Sequence, residues 1–357
     1  MHLEMLSAKV GITIENHCEK GATKISKIDK LKIETFEQTA QIPTREEKTG
    51  RHSKTIKAED GVYYQFVNDP KKAETDNFDY DPEFSEDSST EDEYVKQKLA
   101  NKVFMTFEEF KNKSVSACRA LSDLDQITDP VEYVRTFFKK RLKQKQLYGY
   151  VWNKTLFRKC VKNWNLSKLF DSLRLTTQEN PVHGVNTTMI LVGGKHTCFV
   201  VHYEDGLLAA LNYLHWGAPK IWIFIHPDST EKFAELIIAA FREFEPEPCS
   251  NPIRHKTFLI DLDWLDKKQI NYTVVKQEVG SYIMGLPRIY HTGFNTGVNI
   301  AEATNYMSPS WAEEYKKHYK NCDCKSFLYF QTKKRITMHI DLTPFLDDSN
   351  IEYDFKL

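Results

Sequence analysis

The chain has 357 residues, room for about two domains of ~150 residues or for one large one. Lys and Arg number 49 against 50 Asp and Glu, a formal net charge of -1 that excludes a uniformly basic nucleic-acid binder; 41% hydrophobic and 28% charged residues exclude collagen-like, mucin-like and wholly disordered classes. The longest apolar runs, such as 236–241, fall far short of the ~20 residues of a bilayer crossing, and the start Met1-His2-Leu3-Glu4 lacks a secretory signal, so an intracellular, reducing location with no membrane partner is expected.

Residues 1–58 are polar, with a Lys/Arg/Thr-rich patch over 45–57 and weak apolar periodicity, and read as poorly structured. The stretch 59–100 reads as an acidic disordered linker, because Glu74–Glu93 holds ten carboxylates in twenty residues, which repel one another and bury little. Such a run is commonly just solvated, although it also suits a basic partner such as a histone tail. Over 101–145 a helical segment is predicted, with one helix from Phe107 and another over Pro130–Arg141 carrying Val134, Phe137 and Phe138 at helical spacing.

From about residue 145 the pattern turns to short β-branched and aromatic runs separated by Gly, Pro and Asp: 188–192, 198–201, 221–225 and 272–275. One helix interrupts them, its stripe Phe233, Leu236, Ile237, Ala240, Phe241 and Phe244, with Asp228 as N-cap and Glu231 three residues on. The expectation is a mainly β fold with added helices, an antiparallel barrel or jelly roll over 146–312 with helices packed outside. No internal repeat and no Walker or Rossmann glycine pattern is present.

His202-Tyr203-Glu204 closes one of the predicted strands, and strand alternation projects His202 and Glu204 to one face. An imidazole and a carboxylate so placed are two-thirds of a facial triad for ferrous iron. His291, 87 residues after Glu204, is a candidate third ligand on a later strand. With twelve histidines in the chain, this pattern alone is weak. The seven cysteines, Cys18, Cys118, Cys160, Cys198, Cys249, Cys322 and Cys324, are an odd number and not a disulfide framework, but two thiols two apart at Cys322 and Cys324 point to metal.

Four segments taken together, Gly184-Val185-Asn186-Thr187, His202-x-Glu204-Asp205, Asn212-Tyr213-Leu214-His215-Trp216-Gly217-Ala218-Pro219-Lys220 and His291-x-Gly293-Phe294-Asn295, resemble the Jumonji-C (JmjC) oxygenases in order and spacing. The resemblance runs from about Phe104 to the C-terminus. It is nearest to the zinc-containing JmjC histone lysine demethylases that act on trimethylated lysine 9 or 36 of histone H3, and it implies a double-stranded β-helix (jelly roll, cupin-like).

It further implies that His202, Glu204 and His291 bind Fe(II), that Lys220, Tyr148 and Asn212 contact the cosubstrate 2-oxoglutarate, and that Phe199 and Trp222 wall its pocket. Cys249, His255, Cys322 and Cys324 match a structural zinc set, three thiolates and one imidazole, in a C-terminal segment 313–357. Gly184, Leu191, Ala303, Thr304 and Asn305 fall at substrate positions. The implied activity is N-methyl hydroxylation of a methylated lysine with release of formaldehyde; the implied partners are the methylated histone H3 tail and chromatin, in the nucleus, by a chain expected to be monomeric and without a direct nucleic-acid site.

Departures from the family are local. Leu191 stands where a tyrosine lines the methylammonium cage, Met189 replaces another tyrosine, and Val151 replaces an aspartate. A full JmjN domain is not found; Gly21-Ala22-Thr23-Lys24-Ile25 at best echoes its second half, while Thr106-Phe107-Glu108-Glu109-Phe110 resembles the linker helix and Arg335-Ile336-Thr337-Met338 the end of the catalytic core, with no PHD or Tudor reader. A different substrate, a different methylation state or weak activity therefore stay open, as do a protein side-chain hydroxylase and a chromatin-binding pseudo-demethylase.

Overall fold

The computed structural model describes residues 12–16, 23–41, 44–49, 52–57, 62–68, 104–140 except 118, 146–174 except 162, 170 and 172, 184–241, 251–308 except 257, and 311–319. The acidic run 74–93 lies outside them. Among the described residues no helix is long and apolar enough to cross a membrane.

In chain order the strands and helices are β1 (Ile12–Asn16), β2 (Ile33–Gln41), β3 (Thr44–Thr49), β4 (His52–Lys57), β5 (Val62–Asn68), β6 (Phe104–Met105), α1 (Phe107–Ala117), α2 (Pro130–Lys140), β7 (Gln146–Trp152), β8 (Met189–Gly193), β9 (Cys198–His202), β10 (Ala209–Gly217), β11 (Lys220–Ile225), α3 (Thr230–Phe241), β12 (Phe258–Ile260), α4 (Leu262–Lys267), β13 (Tyr272–Gln277), β14 (Ser281–Gly285), β15 (His291–Asn295), β16 (Asn299–Tyr306) and α5 (Trp311–His318). The stretch 1–58, with its weak periodicity, thus contains β1 to β4, and β5 falls within 59–100.

The helices start where side chains satisfy their first N–H groups. Thr106 and Glu109 form a reciprocal capping box at α1: the Glu109 N–H donates to Thr106 Oγ1 at 3.3 Å and the Thr106 N–H to Glu109 Oε2 at 2.8 Å. Asp129 Oδ1 accepts from Glu132 N at 2.7 Å ahead of α2. The expected cap Asp228 sits instead inside a 3-10 turn, Pro227–Ser229, and its carboxylate accepts from Ser229 Oγ and Asn271 Nδ2.

Every strand pair is antiparallel. The larger sheet runs β1-β14-β10-β16-β8-β7-β2-β5-β12 with β6 on β2, the smaller runs β13-β11-β15-β9, and β3 with β4 forms a separate ribbon. The jelly-roll, double-stranded β-helix expected from the sequence is not what forms: neither sheet closes on itself. The molecule is mixed α and β with two open antiparallel sheets, whose end strands are β1 and β12 in one and β13 and β9 in the other. Short alternating strands with turn residues are common to all antiparallel architectures, so alternation specifies two faces and not closure. Burial is met here by apposing the sheets and covering their backs.

Alternation along β11 shows the division. Ile221, Ile223 and Ile225 join Val134, Phe137 and Phe138 of α2, Phe233 and Ile237 of α3 and Trp264 of α4 in the largest core cluster, behind the smaller sheet. Lys220, Trp222 and Phe224 point the other way, and Trp222 and Phe224 pack with Val275, Ile289 and Ile283, the last from the larger sheet. On the back of the larger sheet, Ile190, Val192, Val151 and Ile300 pack with Phe107 and Phe110 of α1. The space between the two inner faces holds the polar residues that follow.

Candidate metal centre and adjoining pocket

β9 ends at His202 where β15 begins with His291, and the antiparallel register sets the two directly opposite, ring centroids 4.4 Å apart. A register irregularity between His291 and Gly293 gives β9 one extra residue there, the bulge geometry that re-aims side chains beside sites. Glu204 follows two residues on in extended backbone, and its Oε1 lies 3.9 Å from His202 Nε2 and 3.4 Å from His291 Nε2.

Each ring is oriented from behind. His202 Nδ1 is 2.7 Å from the Val200 carbonyl and His291 Nδ1 is 3.0 Å from that of Ile289. A carbonyl only accepts, so each Nδ1 carries a hydrogen and each Nε2 is the ring atom directed at the carboxylate. Burial first, then the nearby His291 and Lys256, pushes His202 down to about 3. Burial raises Glu204, but the His291 contact and the charges of His202 and Lys256 outweigh it and hold the carboxyl below its usual range. At neutral pH a neutral His202 imidazole and the Glu204 carboxylate therefore face one another with His291 beside them, the ligand atoms of all three within 4.8 Å. Two imidazole nitrogens and a carboxylate oxygen converging in this way fit a divalent cation held on one side.

Asn305 of β16 completes the carboxylate's setting, donating from Nδ2 to Glu204 Oε2 at 2.9 Å and to the Ala209 carbonyl at 3.1 Å. Arg174 secures that stretch of β16 through Thr304 Oγ1 at 2.6 Å and the Asn305 carbonyl at 3.1 Å, while Asp171 pairs with Arg174 at 2.9 Å and accepts from Met307 N at 3.0 Å. Asp171 and Arg174 are missed by sequence reasoning. They lie about 130 residues from their partners on and beside β16 and belong to no pattern.

Lys220 is 1% exposed and donates to Asn295 Oδ1 at 2.8 Å, over the faces of Phe199 and Trp222. Among the described residues no carboxylate pairs with it, and burial pushes its pKa down to about 7. A buried ammonium without an anion is costly, which makes the position suited to an anionic ligand. Phe199 meets Trp222 edge to face at 4.7 Å, and the Trp222 indole donates to Gln277 at 2.8 Å. Gly293 permits this: a Cβ there would drive into the Phe199 ring and the Ile221 carbonyl oxygen. Tyr148 is buried opposite Gly193, where a Cβ would strike Asn295, so Tyr148 adjoins the Lys220 end. Asn212, also buried, keeps Oδ1 without a hydrogen-bond partner among the described residues.

Of the expected substrate positions, Ala303 and Leu191 are half-buried on the inner face of the larger sheet and Gly184 adopts φ +82 against Met189. Thr304 is buried with its hydroxyl engaged by Val185 and Arg174, and Asn305 serves Glu204. Cys249, Cys322 and Cys324 lie outside the described residues, as does the side chain of His255, whose backbone closes a 3-10 turn.

Residues 189–306 match the family model described as JmjC domain, hydroxylase. Human "Probable lysine-specific demethylase 4F" is 37% identical over 183 residues, 50% of this chain and 28% of that protein. Rat "Lysine-specific demethylase 4D" is 34% identical over 192 residues (53% and 37%), and mouse "Lysine-specific demethylase 4B" 33% over 193 residues (54% and 18%). The chain thus spans less than two-fifths of the length of each of these relatives.

Proposed function

We propose that this chain, a JmjC-domain protein related to the lysine-specific demethylases 4, is an Fe(II)- and 2-oxoglutarate-dependent oxygenase that removes methyl groups from methylated histone H3 lysine by N-methyl hydroxylation with release of formaldehyde. The observation that carries the reading is the convergence of His202, Glu204 and His291. Iron and 2-oxoglutarate, when bound, supply the oxidising power toward an N-methyl C–H bond that no side chain has.

The protein's part is holding and sorting. His202 and His291 present Nε2 and Glu204 an oxygen from one side, leaving the opposite side for exchangeable ligands. Asn305 fixes the carboxylate's second oxygen and so its rotamer. Lys220, with Tyr148 and Asn212, receives the far carboxylate of 2-oxoglutarate, and the lack of a carboxylate partner for Lys220 among the described residues supports this. Phe199 and Trp222 exclude water from that pair. Structural zinc on Cys249, His255, Cys322 and Cys324 belongs to the same reading and rests on the ligand chemistry of three thiols and an imidazole. The histone H3 tail as partner and a nuclear location rest on the likeness to lysine-specific demethylases.

A second reading, a chromatin-binding protein with little turnover, is favoured by the aliphatic Leu191 and Met189 on the inner face. Mass spectrometry of methylated H3 peptides incubated with iron, 2-oxoglutarate and ascorbate separates the two. Loss of methylene masses that stops in His202→Ala supports demethylation. Gain of one oxygen mass shows stable side-chain hydroxylation instead, and an unchanged peptide beside bound cosubstrate leaves the scaffold.

A further inference from the structure

β7 turns three aromatic side chains toward the smaller sheet: Tyr148 and Tyr150 with centroids 5.0 Å apart and edge-on, Tyr150 and Trp152 at 5.4 Å and nearly parallel at 19°. Tyr148 belongs to the pocket around Lys220. Tyr150 and Trp152 stand directly across from Leu191 and Met189 of β8, and those in turn from Ala301 and Ala303 of β16. The rings therefore rise beside a low aliphatic floor. Gly184 keeps it low, since a Cβ there would come within 3.3 Å of Met189 and 3.4 Å of the Trp152 ring.

A carboxylate flanks the rings on their other side. Glu34 of β2 is the cross-strand partner of Tyr150, and Trp152 Nε1 donates to Glu34 Oε2 at 3.2 Å, which orients the indole. Burial, with the Glu34 charge second, raises the Tyr150 hydroxyl to about 12. Trp152, Met189, Ala303 and Asn212 form one row across the sheet, and Asn305, which grips Glu204, lies two residues beyond Ala303 on the same strand. The ladder and the metal centre thus border one space.

A quaternary ammonium has no hydrogen to donate, so what recognises it is an aromatic face, an apolar surface for its methyl groups and a nearby negative charge. Leu191 and Met189 offer only the second. We infer that Tyr150, Trp152 and Glu34 form the cation cage of this protein and receive the trimethylammonium head of a lysine side chain, so that methyl-state selection sits on β7 and β2. The inference rests on the function proposed above and names the residues that would select its substrate.

The test measures affinity without turnover. The full chain, loaded with nickel(II), is titrated by fluorescence polarisation with an H3 peptide trimethylated at lysine 9 and with the same peptide bearing the uncharged isostere in which carbon replaces the ammonium nitrogen. Cation–π contacts in a desolvated site predict a preference for the charged peptide of about tenfold or more. Tyr150→Ala and Trp152→Ala bring that ratio close to one, Tyr150→Phe preserves it because the ring face remains, and Glu34→Gln lowers it. Equal binding of the two peptides by the unaltered protein, no binding of either, a ratio unchanged in both alanine variants, or tighter binding of the charged peptide to Tyr150→Ala each overturns the cage. A charge preference that depends on the ladder, in a protein that leaves peptide mass unchanged, would refute the oxygenase and keep the cage; turnover with a ladder-independent ratio would do the reverse.

Discussion

Lys220 is a buried cation whose protonation couples stability and anion binding to pH. Burial depresses its pKa from the ordinary 10.5 to about 7, so between those values the unfolded chain binds more protons than the folded one, and stability of the ligand-free protein rises with pH across that window. Below pH 7 the full cost of burying the ammonium is present. An anionic ligand reverses the preference by favouring the charged form, so 2-oxoglutarate affinity should fall as pH climbs through and above 7. In Lys220→Met both trends should flatten, with metal affinity at the triad unchanged; denaturation midpoints and calorimetric titrations across pH 6 to 9 check this. Asn305 acts through Glu204: Asn305→Ala should lower metal affinity or turnover by about 10- to 100-fold, the usual range for a residue that orients a ligand. Arg174→Ala should move the same quantities in the same direction by less, because its hold on Glu204 passes through the Asn305 backbone.

At the scale of strands and helices, the pairing of β9 with β15 makes the metal centre, and Gly293 makes the pairing compatible with the pocket. Gly293→Ala forces the Phe199 ring or the Ile221 backbone aside, with an expected loss of about 1–3 kcal/mol from overpacking and a weaker 2-oxoglutarate site; urea unfolding and cosubstrate titration measure the two. His202 and Glu204 are legible in the sequence because a spacing of two along a strand fixes a shared face without tertiary information, whereas His291 enters only as a distant candidate and Lys220 and Trp222 are marked by the family resemblance. Asn305 is marked there by the family resemblance, but its contact with Glu204 spans 101 residues and joins two polar groups that have no periodicity. Closure of the sheet is not legible either. Alternation in β11 states that one face is buried against helices and the other against something, and an apposed open sheet satisfies it as well as a barrel does.

On the scale of the whole molecule, β1, β2 and β5 of residues 12–68 are part of the larger sheet: β1 covers the edge of β14 and β2 covers that of β7. A polar knot reinforces this union. Thr23 Oγ1 meets His215 Nδ1 at 2.8 Å, and His215 Nε2 meets Glu302 Oε2 at 3.0 Å; that oxygen also accepts from Thr155 Oγ1 and Leu156 N. His215 and Glu302 are wholly buried, so removing one partner strands the other, and Glu302→Ala should cost about 3–5 kcal/mol. Removing residues 1–41 takes away β1, β2 and Thr23 together. It uncovers the backbone donors and acceptors of β7 and β14 and removes the ladder partner Glu34, and bare strand edges recruit other chains. The shortened protein should therefore melt earlier and associate at micromolar concentration, by differential scanning fluorimetry and light scattering, whereas a chain lacking only the separate ribbon β3–β4 should keep both its melting point and its monodispersity.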